Sequence, residues 1–230
     1  MKYLSRCALV LALISNASVR AQEPGLPAVG GKALIFSFSG LGNLNLNQFE
    51  GGIGAKYALN DVMLIRGGVQ FAIASRDIPA NPPAGQTGTD GSASANIFGF
   101  SGALEYHLTR TRVSPYIGAG VGISFTSTES KNAVVGTTAQ TTTKNNTGGE
   151  VIDGTTYRGG MMLGIFAAGG LEYFVTNNVS LGAEYRFGYS TTSRYDEEVT
   201  SGNTTVTTKV GSSSLLGIST GGSLMFAVYF

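Results

Sequence analysis

The sequence predicts an all-β fold: an eight-stranded antiparallel up-and-down transmembrane β-barrel. Three observations predict it. Apolar side chains alternate with small or polar ones over eight stretches, the period of two that marks a strand with one apolar face. Short and long connections alternate between these stretches, which puts all the tight turns at one end. Composition supplies the third. Only 13% of the 230 residues are charged and 34 are Gly, whereas about a quarter of a soluble domain is charged. Beyond the N-terminus no apolar run approaches the roughly 18 residues of a transmembrane helix. Strands with one face in lipid fit these facts.

The N-terminus reads as a secretory signal peptide, residues 1–21. Lys2 and Arg6 form a basic start, residues 7–14 form an apolar run, and Val19-Arg20-Ala21 ends in a small residue at the cut. Ala17 offers a second cut site. Cys7 precedes the apolar run, the wrong side for a lipidated cysteine. Cleavage removes the sole cysteine, which excludes disulfides and thiol catalysis from the mature chain. It leaves 12 basic against 14 acidic residues, so no nucleic-acid partner is expected.

Residues 22–31 hold two prolines and three glycines and read as a leader. The barrel is expected over 32–230, with no second domain. Residues 32–41 place Leu34, Phe36 and Phe38 on one face. Residues 49–59 alternate Phe49, Ile53, Ala55, Tyr57 and Leu59 with Glu50, Gly52, Gly54 and Lys56, and Asn60-Asp61 supplies a two-residue turn. In 62–74, Met63, Ile65, Val69, Phe71 and Ile73 oppose Arg66, Gly68 and Gln70. In 95–108, Phe98, Phe100, Leu104 and Tyr106 oppose Ser101, Ala103, Glu105 and His107. Residues 115–125 set Ile117, Val121, Ile123 and Phe125 against Gly118, Gly120 and Gly122. Residues 158–175 put Leu163, Ile165, Leu171 and Tyr173 outside, with Met162, Phe166 and Glu172 inside. Residues 179–189 put Leu181, Tyr185, Phe187 and Tyr189 against Ser180, Glu184 and Arg186. The chain closes on 213–230, where Leu224, Phe226, Val228 and Phe230 share one face. Residues 76–94, 126–157 and 190–211, rich in Thr, Ser, Asn and Gly, are expected to be loops.

Two rings of aromatics are expected on the lipid face. Phe49, Phe98, Phe125 and Tyr189 lie at the loop ends of their strands, and Tyr57, Tyr106, Tyr173 and Phe230 at the turn ends. Such girdles sit at membrane interfaces. The inner face carries Glu50, Lys56, Arg66, Gln70, Glu105, His107, Glu172, Glu184 and Arg186. Eight strands enclose a lumen that side chains fill, and lone charges there are costly. A plugging network is therefore expected, built on Arg66–Glu105 and Glu184–Arg186 with Glu172 nearby.

Catalysis is not expected. His107 is the only histidine. Ser101 and Glu105 share its face, but the strand direction puts it at the turn end, away from the outer leaflet. Leu108-Thr109 also lack the His-x-Ser pattern of the lipid A deacylases. One histidine and no mature cysteine make a transition-metal site unexpected, and no P-loop or dinucleotide fingerprint occurs. Neither a metal nor a cofactor is expected. Asp196-Glu197-Glu198 reads as a solvated loop tip, the sharper alternative being a weak calcium or lipopolysaccharide-cation contact.

The stretch from Leu171 to Phe187, LEYFVTNNVSLGAEYRF, resembles the Gly-x-Glu-Tyr, turn, Leu-x-x-Glu-Tyr-Arg hairpin of the small OmpA-like, opacity-type outer-membrane β-barrel proteins. Leu104-Glu-Tyr-His-Leu and Val113-Ser-Pro-Tyr-Ile-Gly-Ala-Gly-Val-Gly122 resemble the family's preceding hairpin. The resemblance spans most of 32–230 and is specific for fold rather than activity. It implies an outer membrane of the Gram-negative type, with lipid and lipopolysaccharide as surroundings. It also implies that Leu224, Phe226, Val228 and Phe230 are the signal read by the barrel-assembly machinery. Met225 and Ala227 are less polar than the family's usual inward positions. Members act as surface antigens, adhesins, envelope stabilisers or, less often, narrow channels. A monomer with a structural or surface-interaction (antigen- or adhesin-like) role carried by the loops 76–94, 126–157 and 190–211 is the expectation, its host or surface ligand unnamed; a narrow channel for ions or small solutes is the alternative, and a lipid-modifying outer-membrane enzyme ranks third.

Overall fold

The computed structural model describes residues 25–38 and 51–230. Eight long strands form the barrel: β1 (Lys32–Phe38), β2 (Gly51–Ala58), β3 (Met63–Ile78), β4 (Gly91–His107), β5 (Val113–Lys131), β6 (Gly160–Phe174), β7 (Val179–Arg194) and β8 (Ser212–Tyr229). Each pairs antiparallel with its sequence neighbour, and β1 pairs with β8 (Leu34 opposite Val228, Phe36 opposite Phe226), so the sheet closes. Closure leaves no barrel edge with unpaired backbone groups, the condition for strands in lipid. Phe230 N–H donates to Lys32 O at 2.8 Å and seals the seam.

The tight turns at one end follow local chemistry. Asn60 accepts on its side-chain oxygen from the N–H groups of Val62 (3.0 Å) and Met63 (2.9 Å), the side-chain cap that makes Asn a turn residue. At the next turn Thr109 and Thr111 each donate a hydroxyl to Val113 O at 2.9 Å. Val175 N–H bonds Val179 O at 2.9 Å across the third.

At the opposite end the strands are longer than an apolar band requires. β4 has 17 residues; at about 3.3 Å per residue and a tilt of about 40°, it spans roughly 43 Å, against an apolar band of roughly 25 Å. Outward-facing positions record the crossing. β3 reads Val69, Phe71, Ile73 and then Ser75, Asp77; β5 reads Val121, Ile123, Phe125 and then Ser127, Glu129, Lys131; β7 reads Phe187, Tyr189 and then Thr191, Ser193. In register, Phe71, Phe98, Phe125 and Met161 lie side by side across four strands. Phe98, Tyr57, Tyr106, Tyr173, Tyr189 and Phe230 are exposed on the outer face and Phe125 is half-buried. Phe49 lies outside the described residues.

The three stretches expected to be loops are largely β-structure. β3, β4, β5 and β7 run into them, and short strands extend the sheet beyond the barrel. Strand Thr141–Lys144 pairs with the top of β5, Glu197–Ser201 pairs with it in turn, and Thr204–Thr208 completes the sheet. Thr-rich sequence suits this, because a β-branched side chain fits the pleat. A second hairpin, Glu150–Ile152 with Thr155–Tyr157, folds inward: buried Ile152 packs with Ala93 and Ala95, and Ala74, Ile78 and Tyr157 pack against them.

The turn end of the lumen holds an apolar floor that an all-polar reading of the inner face did not include. Ala33, Ile35, Ala58, Leu64, Tyr116, Phe174, Met225, Ala227 and Tyr229 form one buried cluster with Leu26. Leu26 belongs to the leader, which is docked beneath the barrel: Gly30 N–H donates to Ala58 O and Ala58 N–H to Gly31 O, both at 2.9 Å.

Candidate functional site

Five strands bring charged side chains together on the lumen axis, just above the apolar floor. Alternation fixes their direction. Lys56 on β2, Arg66 on β3, Glu105 and His107 on β4, Glu172 on β6 and Glu184 on β7 occupy inward positions and are all buried. Lys56 Nζ lies 2.9 Å from Glu105 Oε2 and 3.0 Å from Glu172 Oε2. The Arg66 guanidinium reaches Glu105 Oε1 at 2.9 Å and donates to both Glu184 oxygens at 3.1 and 2.9 Å. Arg186 Nε donates to Glu184 Oε1 at 2.6 Å. Three cations (Lys56, Arg66, Arg186) thus meet three carboxylates (Glu105, Glu172, Glu184), which is how charges survive in a low-dielectric interior.

Hydroxyls complete the set. Tyr116 Oη donates to Glu184 Oε2 at 2.9 Å, Tyr229 Oη to Glu172 Oε1 at 2.8 Å, and Ser180 Oγ to Glu172 Oε1. Glu105 is different: among the described residues its oxygens accept no aligned hydrogen bond, so its two ion pairs hold it. Arg66 also meets Met225 Sδ at 3.0 Å.

The structure therefore joins Lys56, Arg66, Glu105, His107, Glu172, Glu184 and Arg186. Gln70 stands apart on the wall of the space above, and Glu50 lies outside the described residues. The pairs Lys56–Glu105, Lys56–Glu172 and Arg66–Glu184 were not expected from sequence. Tyr116, Ser180, Met225 and Tyr229 were missed as members. Tyr116 sits two residues before Gly118 on the inner phase, and Tyr229 alternates with the outward Phe230, so phase alone could have flagged both. Space for Tyr116 comes from Gly170: a Cβ there would sit 2.3 Å from the ring. Gly120 makes room for Phe166 in the same way, at 2.5 Å.

His107 makes a Ser–His–Glu contact, with Nδ1 2.8 Å from Ser114 Oγ and Nε2 3.5 Å from Glu105 Oε2. Ser114 is fully buried, and its hydroxyl donates to Thr109 O at 2.6 Å. A nucleophile needs access to substrate, and Ser101 lines the upper space, apart from these groups. Glu105, His107 and Glu172 also bring one ligand atom each within 4.8 Å of one another, but the Lys56 ammonium takes the cation position between the two carboxylates. The acidic run at the loop tip caps backbone: Glu197 Oε2 accepts from Thr147 N–H at 2.6 Å and Asp196 Oδ1 from Val210 N–H at 3.3 Å.

On the closing strand, Leu224 and Phe230 are exposed outward, Phe226 and Val228 are half-buried, and Met225, Ala227 and Tyr229 are buried inward. The Phe36 and Phe226 rings lie 6.3 Å apart across the seam.

Above the charges lies a cavity of about 650 Å³ reaching to the loop end, lined by Arg158, Arg186, Arg194, Phe166, Met162 and the serines and threonines of β5 and β7, among others.

A family model described as "Outer membrane protein beta-barrel domain" matches residues 7–213. No curated protein matches the chain. Solved structures resemble it at low identity, three of them as follows. The N-terminal β-barrel domain of Pseudomonas aeruginosa OprF is 12% identical, covering 89% of this chain and 100% of that one, with a TM-score of 0.39. A major outer membrane protein from Thermus thermophilus is 14% identical, covering 87% and 98%, with a TM-score of 0.46. Neisserial surface protein A is 18% identical, covering 89% and 100%, with a TM-score of 0.38.

Proposed function

We propose, from the premise that this chain belongs to the outer membrane protein β-barrel domain family, that it works by presenting its loop-end β-layers at the cell surface on a plugged, non-conducting barrel. The outer membrane is the compartment of that family. One observation carries the reading: the lumen is crossed by a buried, charge-balanced network resting on an apolar floor, while the β-structure outside the membrane band lies at the other end. A lumen crossed at its turn end leaves the loop-end layers, and the space beneath them, as the parts that can meet another molecule, and rigidly held surface segments are where binding resides.

The biogenesis follows the same reading. A signal peptide is cleaved after Ala21, the barrel-assembly machinery reads Leu224, Phe226, Val228 and Phe230, and the mature monomer sits among outer-membrane lipid and lipopolysaccharide. The surface ligand, host-derived or otherwise, is recognised by the hairpin layers. The test replaces the Glu197–Thr208 hairpin with a two-residue turn in cells that display the protein. The barrel is expected to remain heat-modifiable on gels while adhesion or antibody recognition falls. Unchanged surface recognition together with altered solute uptake would favour a narrow channel instead.

A further inference from the structure

We propose that the upper lumen cavity binds a phosphorylated sugar through Arg158 and Arg194. The cavity, about 650 Å³, falls within the roughly 300–1,000 Å³ of small-molecule sites. It stays open because inward positions facing it are small: a Cβ added at Gly164 or Gly122 would find its nearest neighbour at 3.6 and 3.7 Å.

Its charge is one-signed. Arg186, at the base, is matched by Glu184 and lies over the Phe166 ring at 4.6 Å. The three lumen carboxylates are already met by Lys56, Arg66 and Arg186, so Arg158 and Arg194 are surplus. Among the described residues neither has a carboxylate within ion-pair distance, and the cavity lining contains none. Arg158 Nε makes one long bond, 3.4 Å, to Gly148 O. A cleft with low-dielectric walls and one sign of charge concentrates the opposite ion. Guanidinium groups present paired donors that match phosphate oxygens.

The walls say what carries the phosphate. The space exceeds a bare ion, and it offers hydroxyls (Ser124, Ser190, Thr192) beside the Phe166 ring. Hydroxyls suit a sugar, whose own hydroxyl groups hydrogen-bond at its edges, while the face of the Phe166 ring is taken by Arg186. The shared chemistry is a sugar phosphomonoester, either a free solute or the headgroup of a surface glycolipid.

Calorimetry on the full chain, folded in detergent, tests this with five probes: glucose 6-phosphate, glucose, inorganic phosphate, a phosphorylated disaccharide glycolipid in micelles, and its dephosphorylated form. Saturable binding of glucose 6-phosphate or the phosphorylated glycolipid, absent for glucose and for the dephosphorylated lipid, is expected. R158Q and R194Q should each weaken it about tenfold or more, with unheated gel mobility confirming that the variants fold. Binding of the glycolipid alone assigns the lipid source; binding of glucose 6-phosphate assigns the solute. Failure of both phosphorylated probes, affinity unchanged in both variants, or inorganic phosphate binding as tightly as the esters would overturn the proposal. The readout is binding, so it is independent of whether the lumen conducts.

Discussion

Glu105 is fully buried and meets Lys56 and Arg66 at 2.9 Å each. Glu105→Gln leaves those two cations one counter-charge short at a fully buried position. Removing one partner of a buried pair costs about 3–5 kcal/mol. A lower urea midpoint is therefore expected for the variant in lipid vesicles, read by the mobility of unheated samples; an unchanged midpoint would contradict the network. Gly170 makes a second prediction at this scale. With its Cβ position 2.3 Å from the Tyr116 ring, Gly170→Val should destabilise by about 1–3 kcal/mol through overpacking, and Tyr116→Leu in the same chain should restore part of the loss. Much of this site was legible: alternation identified which charges point inward and which of them could pair. Partner choice beyond Arg66–Glu105 and Glu184–Arg186 was not, because it depends on the shear between β2, β4 and β6, which no local pattern encodes. Tyr229 escaped because the outward row ending in Phe230 dominated the reading of that strand.

Elements add two tests. The barrel closes where β8 meets β1, and Phe230 both bonds Lys32 and stands exposed at the turn-end rim. Deleting Phe230 removes little buried area, yet we expect it to cut the folded protein recovered from outer membranes several-fold relative to wild type; normal yield would count against its role as an assembly signal. The leader is the second case. Leu26 is buried in the floor cluster, so Leu26→Ala should cost roughly 2–3 kcal/mol, the low part of the usual Leu→Ala range because the leader can settle into the space. No shift in thermal midpoint would mean that the leader is not docked. From sequence the leader was only a Pro- and Gly-rich connector, since one leucine carries no periodicity. The polar stretches were misread for a related reason: Thr, Ser and Asn mark loops by composition, but the run Thr141–Lys144 and the pair Glu197–Ser201 and Thr204–Thr208 form strands whose sheet reaches β5 across long stretches of chain. Strand existence inside the membrane was clear because lipid enforces alternation, and outside it nothing does.

Viewed whole, the molecule is a barrel with three levels: an apolar floor with the leader beneath it, a neutral charge network above the floor, and an arginine-lined cavity under surface β-layers. The first two levels lie across the lumen toward its turn end and the last lies toward the loop end. That ordering predicts how the barrel behaves as a conduit. Single-channel recording in planar bilayers tests it most directly, comparing wild type with Arg66→Ala. A plugged lumen predicts no discrete conductance steps from the wild type, and steps at most in the variant, where a guanidinium bridging Glu105 and Glu184 is gone. Stable steps from the wild type that change size in Arg66→Ala would contradict it, because ions would then be passing through the place where the network is said to block them.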